Sequence, residues 1–316
     1  MALDPLDDDV LYVAFSTGPQ QARNRHGLWR SDDRGLTWTR LSLGTEREID
    51  RPVAVRISPV DGTIYVLTRV ALHRSADRGS TWFQHDGPAN YVSNTDLLVD
   101  PHNAGTIYVA QEKSCGFGTC IEGGVKRSDD RGKSWRDVGL KKLTVSQLAA
   151  DPHDASTLHA VSEGKLYQTR NRGSAWKAVT PLGASAISAV AVDPQVSSTI
   201  YTTGGTFSTP MTGIYKSTDR AQSWRLLDGD AFTSGGENVI AIDPHNPLQI
   251  LATTGTGTLI RTTDGGESWQ RFQDGLQGAD PLQLIVGRNN TFHAIAENGL
   301  LFHYEVAHPR RRAAEK

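Results

Sequence analysis

Five carboxylates stand where the sequence is least regular: Glu48, Asp50, Glu122, Asp228 and Asp230. Two of them held roughly 5 to 10 Å apart would suit glycosidic hydrolysis, one as general acid and the other as nucleophile or base. They lie on three separate segments, so spacing alone makes no pair, and no residue is assigned a catalytic role. Read for binding, the same irregular segments and their neighbours offer Arg23, Arg25, His26, Arg47, Arg51, Glu112, Phe117, Glu122, Phe207, Asp228, Asp230, Phe232 and Glu237. Mixed charge with three aromatics suits a protein partner or a polysaccharide.

Other chemistry has less support. Asp-Pro-His recurs with His102, His153 and His245, but each falls at the same place in a different repeat, which makes them turn residues and not one metal cluster. Asp4, Asp7, Asp8 and Asp9 form an acidic start that solvation explains as well as calcium does. No Gly-rich loop follows a strand and opens a helix, so no nucleotide is implied. Neither a metal nor a cofactor is assigned. Cys115 and Cys120 lie in SCGFGTC, where Gly116 and Gly118 let a short loop close. A local disulfide is the expectation, with two unpaired thiols as the alternative. A disulfide would place the chain in an oxidising, extracytoplasmic compartment, periplasmic or secreted, with any signal peptide lying outside this sequence.

What must position these residues is a repeat. Six segments share the pattern hydroxyl, any, Asp, any, Gly, any, any, Trp: SDDRGLTW, SADRGSTW, SDDRGKSW, TRNRGSAW, STDRAQSW and TTDGGESW. Their central residues are Asp33, Asp77, Asp130, Asn171, Asp219 and Asp264, recurring every 41 to 53 residues. An Asp at a turn accepts nearby backbone N–H groups, and a Gly two residues on adopts positive φ without steric cost. Asn171 keeps an acceptor. Ala221 replaces the Gly, so a strained or altered turn is expected there.

Before each box runs an apolar strand ending near Asp-Pro, a polar turn, and a strand rich in β-branched residues and Tyr, as in VDPHNAGTIYVA from Val99. A worn seventh copy, VGRNNTFHAIA, starts at Val286. A third strand, such as GLWRS or GIYKS, links this phrase to the box. Four short strands per repeat and no helical period describe a propeller blade. The expected fold is all-β: a single seven-bladed β-propeller of four-stranded antiparallel blades over residues 1–307, with a basic, disordered tail over 308–316. Blade 1 starts at the end of its first strand and the last unit has no box, so one sheet built from both termini is the expected closure.

The sequence resembles the Asp-box, or bacterial neuraminidase repeat, propellers over essentially its whole length. The DP-turn-IYVA phrase followed by S-x-D-x-G-x-x-W is similar to sortilin-type domains, to xyloglucan-cleaving tandem propellers and to photosystem II assembly and stability factors. The resemblance implies Asp-box hairpins on one face and binding loops on the other. Sialidases of this superfamily carry an Arg-Ile-Pro motif, whereas Asp50-Arg51-Pro52 lacks the Ile and no Tyr lies in the long loops. The xyloglucan-cleaving relatives set their carboxylates across two propellers, and one is present here. The expectation is a non-catalytic binding or scaffold propeller that grips a protein or glycan through its irregular face. A glycoside hydrolase or carbohydrate-binding propeller is the alternative.

Composition sets the outer limits. Of 316 residues 37% are hydrophobic and 22% charged, enough apolar material for a large core. Thirty-three Lys and Arg against 35 Asp and Glu give a net charge of -2, so no global field draws the chain to nucleic acid. No apolar run approaches the length of a membrane span, and a monomer or one part of a larger complex is expected.

Overall fold

Short runs of β-branched residues and tyrosine, cut by Asp-Pro and Asp-x-Gly turns, can form little except hairpins. The computed structural model describes residues 1–15, 27–44, 51–69, 71–87, 93–116, 119–206, 212–227, 239–253, 258–272, 281–287, 291–296 and 301–305. Among these residues every regular element is a strand, 29 in all.

Blade 1 holds β1 (Ala2–Asp4), β2 (Asp7–Phe15), β3 (Gly27–Ser31) and β4 (Thr39–Leu41). Blade 2 holds β5 (Pro52–Ile57), β6 (Ile64–Thr68), β7 (Ala71–Ser75) and β8 (Phe83–Asp86). In blade 3 β9 (Asn94–Val99) and β10 (Ile107–Gln111) are followed by an inserted hairpin, β11 (Ser114–Gly116) and β12 (Thr119–Ile121), before β13 (Gly124–Ser128) and β14 (Arg136–Asp137). Blade 4 comprises β15 (Val145–Ala150), β16 (Leu158–Ser162), β17 (Lys165–Thr169) and β18 (Lys177–Ala178). Blade 5 comprises β19 (Ala184–Val192), β20 (Ile200–Thr206), β21 (Thr212–Ser217) and β22 (Arg225–Leu227). Blade 6 comprises β23 (Ile240–Ile242), β24 (Ile250–Thr253), β25 (Leu259–Thr262) and β26 (Gln270–Arg271). The last sheet has only β27 (Pro281–Val286), β28 (Thr291–Ala296) and β29 (Leu301–Glu305).

Among the described residues the propeller has six four-stranded blades, not the seven expected, and a last sheet of three strands. The sequence given after β29 holds no Asp box, the turn that precedes the fourth strand in the other blades. β1 pairs with β2 and β29 with β28, and among the described residues no ladder of the expected closure joins the two ends. Side chains close the seam instead: Met1, Leu11, Val13 and Phe15 of blade 1 form one buried cluster with Ile295 of the last sheet. Comparable clusters fill the other seams, each taking its apolar residues from two successive sheets.

The first strands of successive blades lie side by side without forming ladders, so side chains stitch them. Arg56 donates to Asp96 Oδ1 at 2.8 Å, and the other Asp96 oxygen accepts the Leu148 N–H at 2.9 Å. Thr95 Oγ1 donates to the Val145 carbonyl at 2.5 Å, and Gln147 Oε1 accepts the Val190 N–H at 2.9 Å. One polar chain therefore runs from blade 2 through blade 5.

Five of the six boxes carry an Asp and use it in full. In blade 1 Ser31 Oγ donates to Asp33 Oδ1 at 2.8 Å and accepts the Gly35 N–H at 2.7 Å. Asp33 Oδ1 also accepts the Thr37 N–H, and Oδ2 accepts the Thr37 hydroxyl at 2.6 Å. Asp77, Asp130, Asp219 and Asp264 repeat the arrangement with Thr81, Ser134, Ser223 and Ser268. The turn needs two positive φ angles in a row, 60° at Arg34 and 90° at Gly35. Ala221 at φ 65° keeps the N–H bond to the Ser217 hydroxyl, while the Gln222 N–H turns to the Asp219 carboxylate instead of the Asp backbone carbonyl used in blades 1 and 2, so the turn is slightly altered and the strain sits in the alanine backbone.

Candidate functional site

The second-to-third loops and the crossings between blades share the irregular face. Of the binding candidates on it, Arg51, Glu112 and Glu122 lie within the described residues; Arg23, Arg25, His26, Arg47, Phe117, Phe207, Asp228, Asp230, Phe232 and Glu237 lie outside them, as do Glu48 and Asp50. Glu112 and Glu122 are brought together at the two feet of the β11–β12 hairpin, both exposed. Arg51 is half-buried on blade 2, at the entry to β5.

Backbone contacts anchor that hairpin. The Glu112 N–H donates to the Ser93 carbonyl at 2.9 Å and the Lys113 N–H to Thr144 Oγ1 at 3.1 Å. A Cβ on Gly123 would lie 2.7 Å from the Lys113 nitrogen, so only glycine fits where the hairpin returns to the blade. Cys115 and Cys120 face each other across it and are bonded, with Cα atoms 4.1 Å apart. Ile121 is exposed beside them. The chain thus projects a short, covalently closed hairpin with an apolar residue between acids. The sequence reading took this segment for a plain loop, because three-residue strands carry too little alternation to be seen.

A second feature escaped the sequence reading. Between the outer strands of blades 4 and 5 runs a groove of about 1310 Å³ lined by Trp176, Trp224, Leu182, Arg170, Lys177 and Arg220, among others. Both tryptophans are box residues. Their indole N–H groups donate to the Val138 and Val179 carbonyls of the preceding blades, which turns their rings along the seams. Leu182 is fully exposed. No carboxylate lines the groove.

Acids on the regular face are committed elsewhere. Asp100, Asp151, Asp193 and Asp243 of the Asp-Pro turns are buried and accept the N–H of the second residue on, at 2.8 to 2.9 Å. His102, His153 and His245 supply backbone groups there, on three separate turns with exposed rings. The hydroxyl and N–H of Thr37, then Ser31, hold the Asp33 carboxyl at about 2, and Asp77, Asp130 and Asp219 are held at about 2 by the equivalent bonds. Among the described residues, every carboxylate whose ionisation is clearly moved is moved downward. A general acid needs the opposite shift. Among the described residues no group of three or more His, Cys, Asp and Glu is arranged around a metal position.

The sequence profile of the family described as photosynthesis system II assembly factor YCF48 matches residues 22–305. A probable oligoxyloglucan-reducing end-specific xyloglucanase of Neosartorya fischeri is 25% identical over 291 residues, covering 85% of this chain and 33% of that protein. The chain therefore spans about a third of the length of that curated relative. Among solved structures, the GH74 xyloglucanase from Xanthomonas campestris superposes with TM-score 0.74 at 21% identity, over 98% of this chain and 52% of that one. YCF48 bound to D1 peptide superposes with TM-score 0.66 at 16% identity, over 89% and 87%. At such identities the structural likeness establishes the propeller fold alone.

Proposed function

The chain belongs to the photosynthesis system II assembly factor YCF48 family, and from that premise we propose that it is a non-catalytic binding propeller whose irregular face holds an extended protein segment. One observation carries this reading: many of the described carboxylates are spent on the scaffold, in boxes, Asx turns and the Arg56–Asp96 stitch, and each one whose ionisation is clearly moved is moved downward. The disulfide-closed hairpin between Glu112 and Glu122 adds a rigid mixed-polarity edge, which lowers the entropy lost on gripping a partner. One solved structure of like fold is YCF48 bound to D1 peptide. The Cys115–Cys120 bond supports an oxidising, extracytoplasmic compartment.

A specific observation favours a second reading, that of a carbohydrate-binding propeller. Trp176 and Trp224 lie in one groove, where aromatic faces can take sugar rings, and the curated relative named above is a probable oligoxyloglucan-reducing end-specific xyloglucanase.

A peptide array separates the two. The best binder would be titrated against the wild-type chain, the Glu112→Lys/Glu122→Lys variant and a regular-face control, Leu248→Ser. The proposal expects at least a tenfold loss in the first variant and none in the control. Equal affinity in all three would overturn it, and saturable binding of xyloglucan oligosaccharides without peptide binding would establish the second reading.

A further inference from the structure

In each blade the second and third strands place one facing pair of side chains at the seam with the next sheet. The pairs are Tyr12 with Arg30, Tyr65 with Arg74, Tyr108 with Arg127, His159 with Gln168, Tyr201 with Lys216, and in blade 6 Leu251 with Arg261. Their usual task is to donate hydrogen bonds across the seam. Tyr12 Oη and Arg30 both donate to the Arg78 carbonyl of the next box, at 3.2 and 3.0 Å. Tyr201 Oη and Lys216 Nζ do the same for Gly265, at 3.1 and 2.8 Å.

In the last sheet the facing pair is His293 and His303. Here a tyrosine and a cation, two donors, have become two imidazoles, each able to offer a lone pair. Their Nδ1 atoms are 3.4 Å apart and the rings are tilted by 45°. An ion that binds imidazole nitrogen at about 2.0 to 2.1 Å with tetrahedral angles separates two such nitrogens by about 3.3 to 3.4 Å. The pair is therefore set at the bite of a metal chelate. His293 is 4% exposed and its Nδ1 points toward blade 1, lying 3.9 Å from where a Cβ on Gly35 would be. His303 borders a pocket of about 560 Å³ whose other walls are Asp9, Asp33, Arg34 and Leu36 of blade 1.

We propose that His293 Nδ1 and His303 Nδ1 chelate one divalent transition-metal ion of the imidazole-preferring class, Zn²⁺ or Cu²⁺, at the seam between the last sheet and blade 1. Water from the adjoining pocket completes the coordination, so no third protein ligand is required. The ion stiffens the last sheet, three-stranded among the described residues, at its seam with blade 1. Ten residues separate the two histidines, and only the β28–β29 register brings them together.

The test uses the full-length, untagged chain, stripped with a chelator and titrated calorimetrically with Zn²⁺. Melting is followed in parallel, and Cu²⁺ electron paramagnetic resonance reads the number of coordinated nitrogens. One equivalent should bind, and at a hundredfold excess over Kd the melting temperature should rise by about 4 °C. His293→Gln and His303→Gln should each weaken binding at least tenfold, and His102→Gln, on an exposed turn, should not. His303→Gln, at the less buried position, carries the test if His293→Gln fails to fold. Absence of saturable binding, or unchanged binding in His303→Gln, would leave a plain imidazole–imidazole hydrogen bond and overturn the proposal.

Discussion

At Asn171 the box trades its acid for an amide, and four residues on Ala175 stands where the other boxes carry Thr37, Thr81, Ser134, Ser223 and Ser268. The two departures belong together. A carboxylate offers a second oxygen to that hydroxyl; the amide offers an N–H₂ donor there, while its oxygen keeps the bonds from the Thr169 hydroxyl and the Ala175 N–H, both at 2.8 Å. Asn171→Asp with Ala175→Ser should therefore show favourable coupling of about 0.5 to 1.5 kcal/mol in a double-mutant cycle read by urea denaturation, and coupling near zero would deny the pairing. The box acids also fix the response to acid. Their carboxyls are lowered to about 2 in the folded chain from an ordinary value near 3.8, so the stability they contribute is complete above pH 4 and is lost as pH falls toward 2. The melting temperature should fall gently as pH drops below about 6.5, because burial holds the His159 imidazole at about 4 and the unfolded chain takes up that proton first, and then steeply between pH 4 and 2 as the box acids protonate. No added fall between pH 4 and 2 would deny the box acids this role.

At the scale of the element, the box glycine does two things, and the sequence revealed one. Positive φ was legible from Asp-x-Gly itself. Close packing on the preceding blade was not, since it depends on a partner some 40 residues away. A Cβ on Gly173 would lie 2.8 Å from the Val138 carbonyl oxygen, and one on Gly266 2.6 Å from Leu227 Cδ1. Gly173→Ala should thus cost about 2 kcal/mol or more, adding backbone strain of about 1 to overpacking of about 1 to 3. Ala221→Gly is the reverse exchange in the next blade. Relief of about 1 kcal/mol of strain is offset by about 0.8 from the buried methyl, which packs among Val161, Leu166 and Trp224, so stability should move by less than about 1 kcal/mol. Denaturation midpoints of the two variants check both figures, and a large gain for Ala221→Gly would mean that the methyl packs poorly. The four-stranded meander was legible for a related reason: period-two alternation and turn chemistry are local signals. The β11–β12 hairpin and the facing tyrosine–cation pairs were not, because short strands carry weak patterns and cross-strand register is invisible in one dimension.

Over the whole molecule, the repeat count predicted one complete blade too many. The worn copy from Val286 supplies strands but no box, and a fourth strand depends on that turn. The seam it leaves is closed by packing, so Ile295, 3% exposed in the cluster with Leu11, Val13 and Phe15, should matter as much as any core residue. Ile295→Ala should cost about 2 to 5 kcal/mol by urea denaturation, and a loss under 1 would mean that the last sheet contributes little to closure. The candidate site was legible only as a face, because the irregular loops differ from blade to blade and carry no repeat to calibrate against. On this account a scaffold has spent its acids on turns and seams and offers loops for recognition. The most direct test is a reducing-end assay of the purified chain on xyloglucan and its oligosaccharides over several hours. No release above a heat-denatured control is expected of a non-catalytic scaffold; turnover that disappears in Glu48→Ala, Asp50→Ala, Asp228→Ala or Asp230→Ala would make the protein a glycoside hydrolase instead.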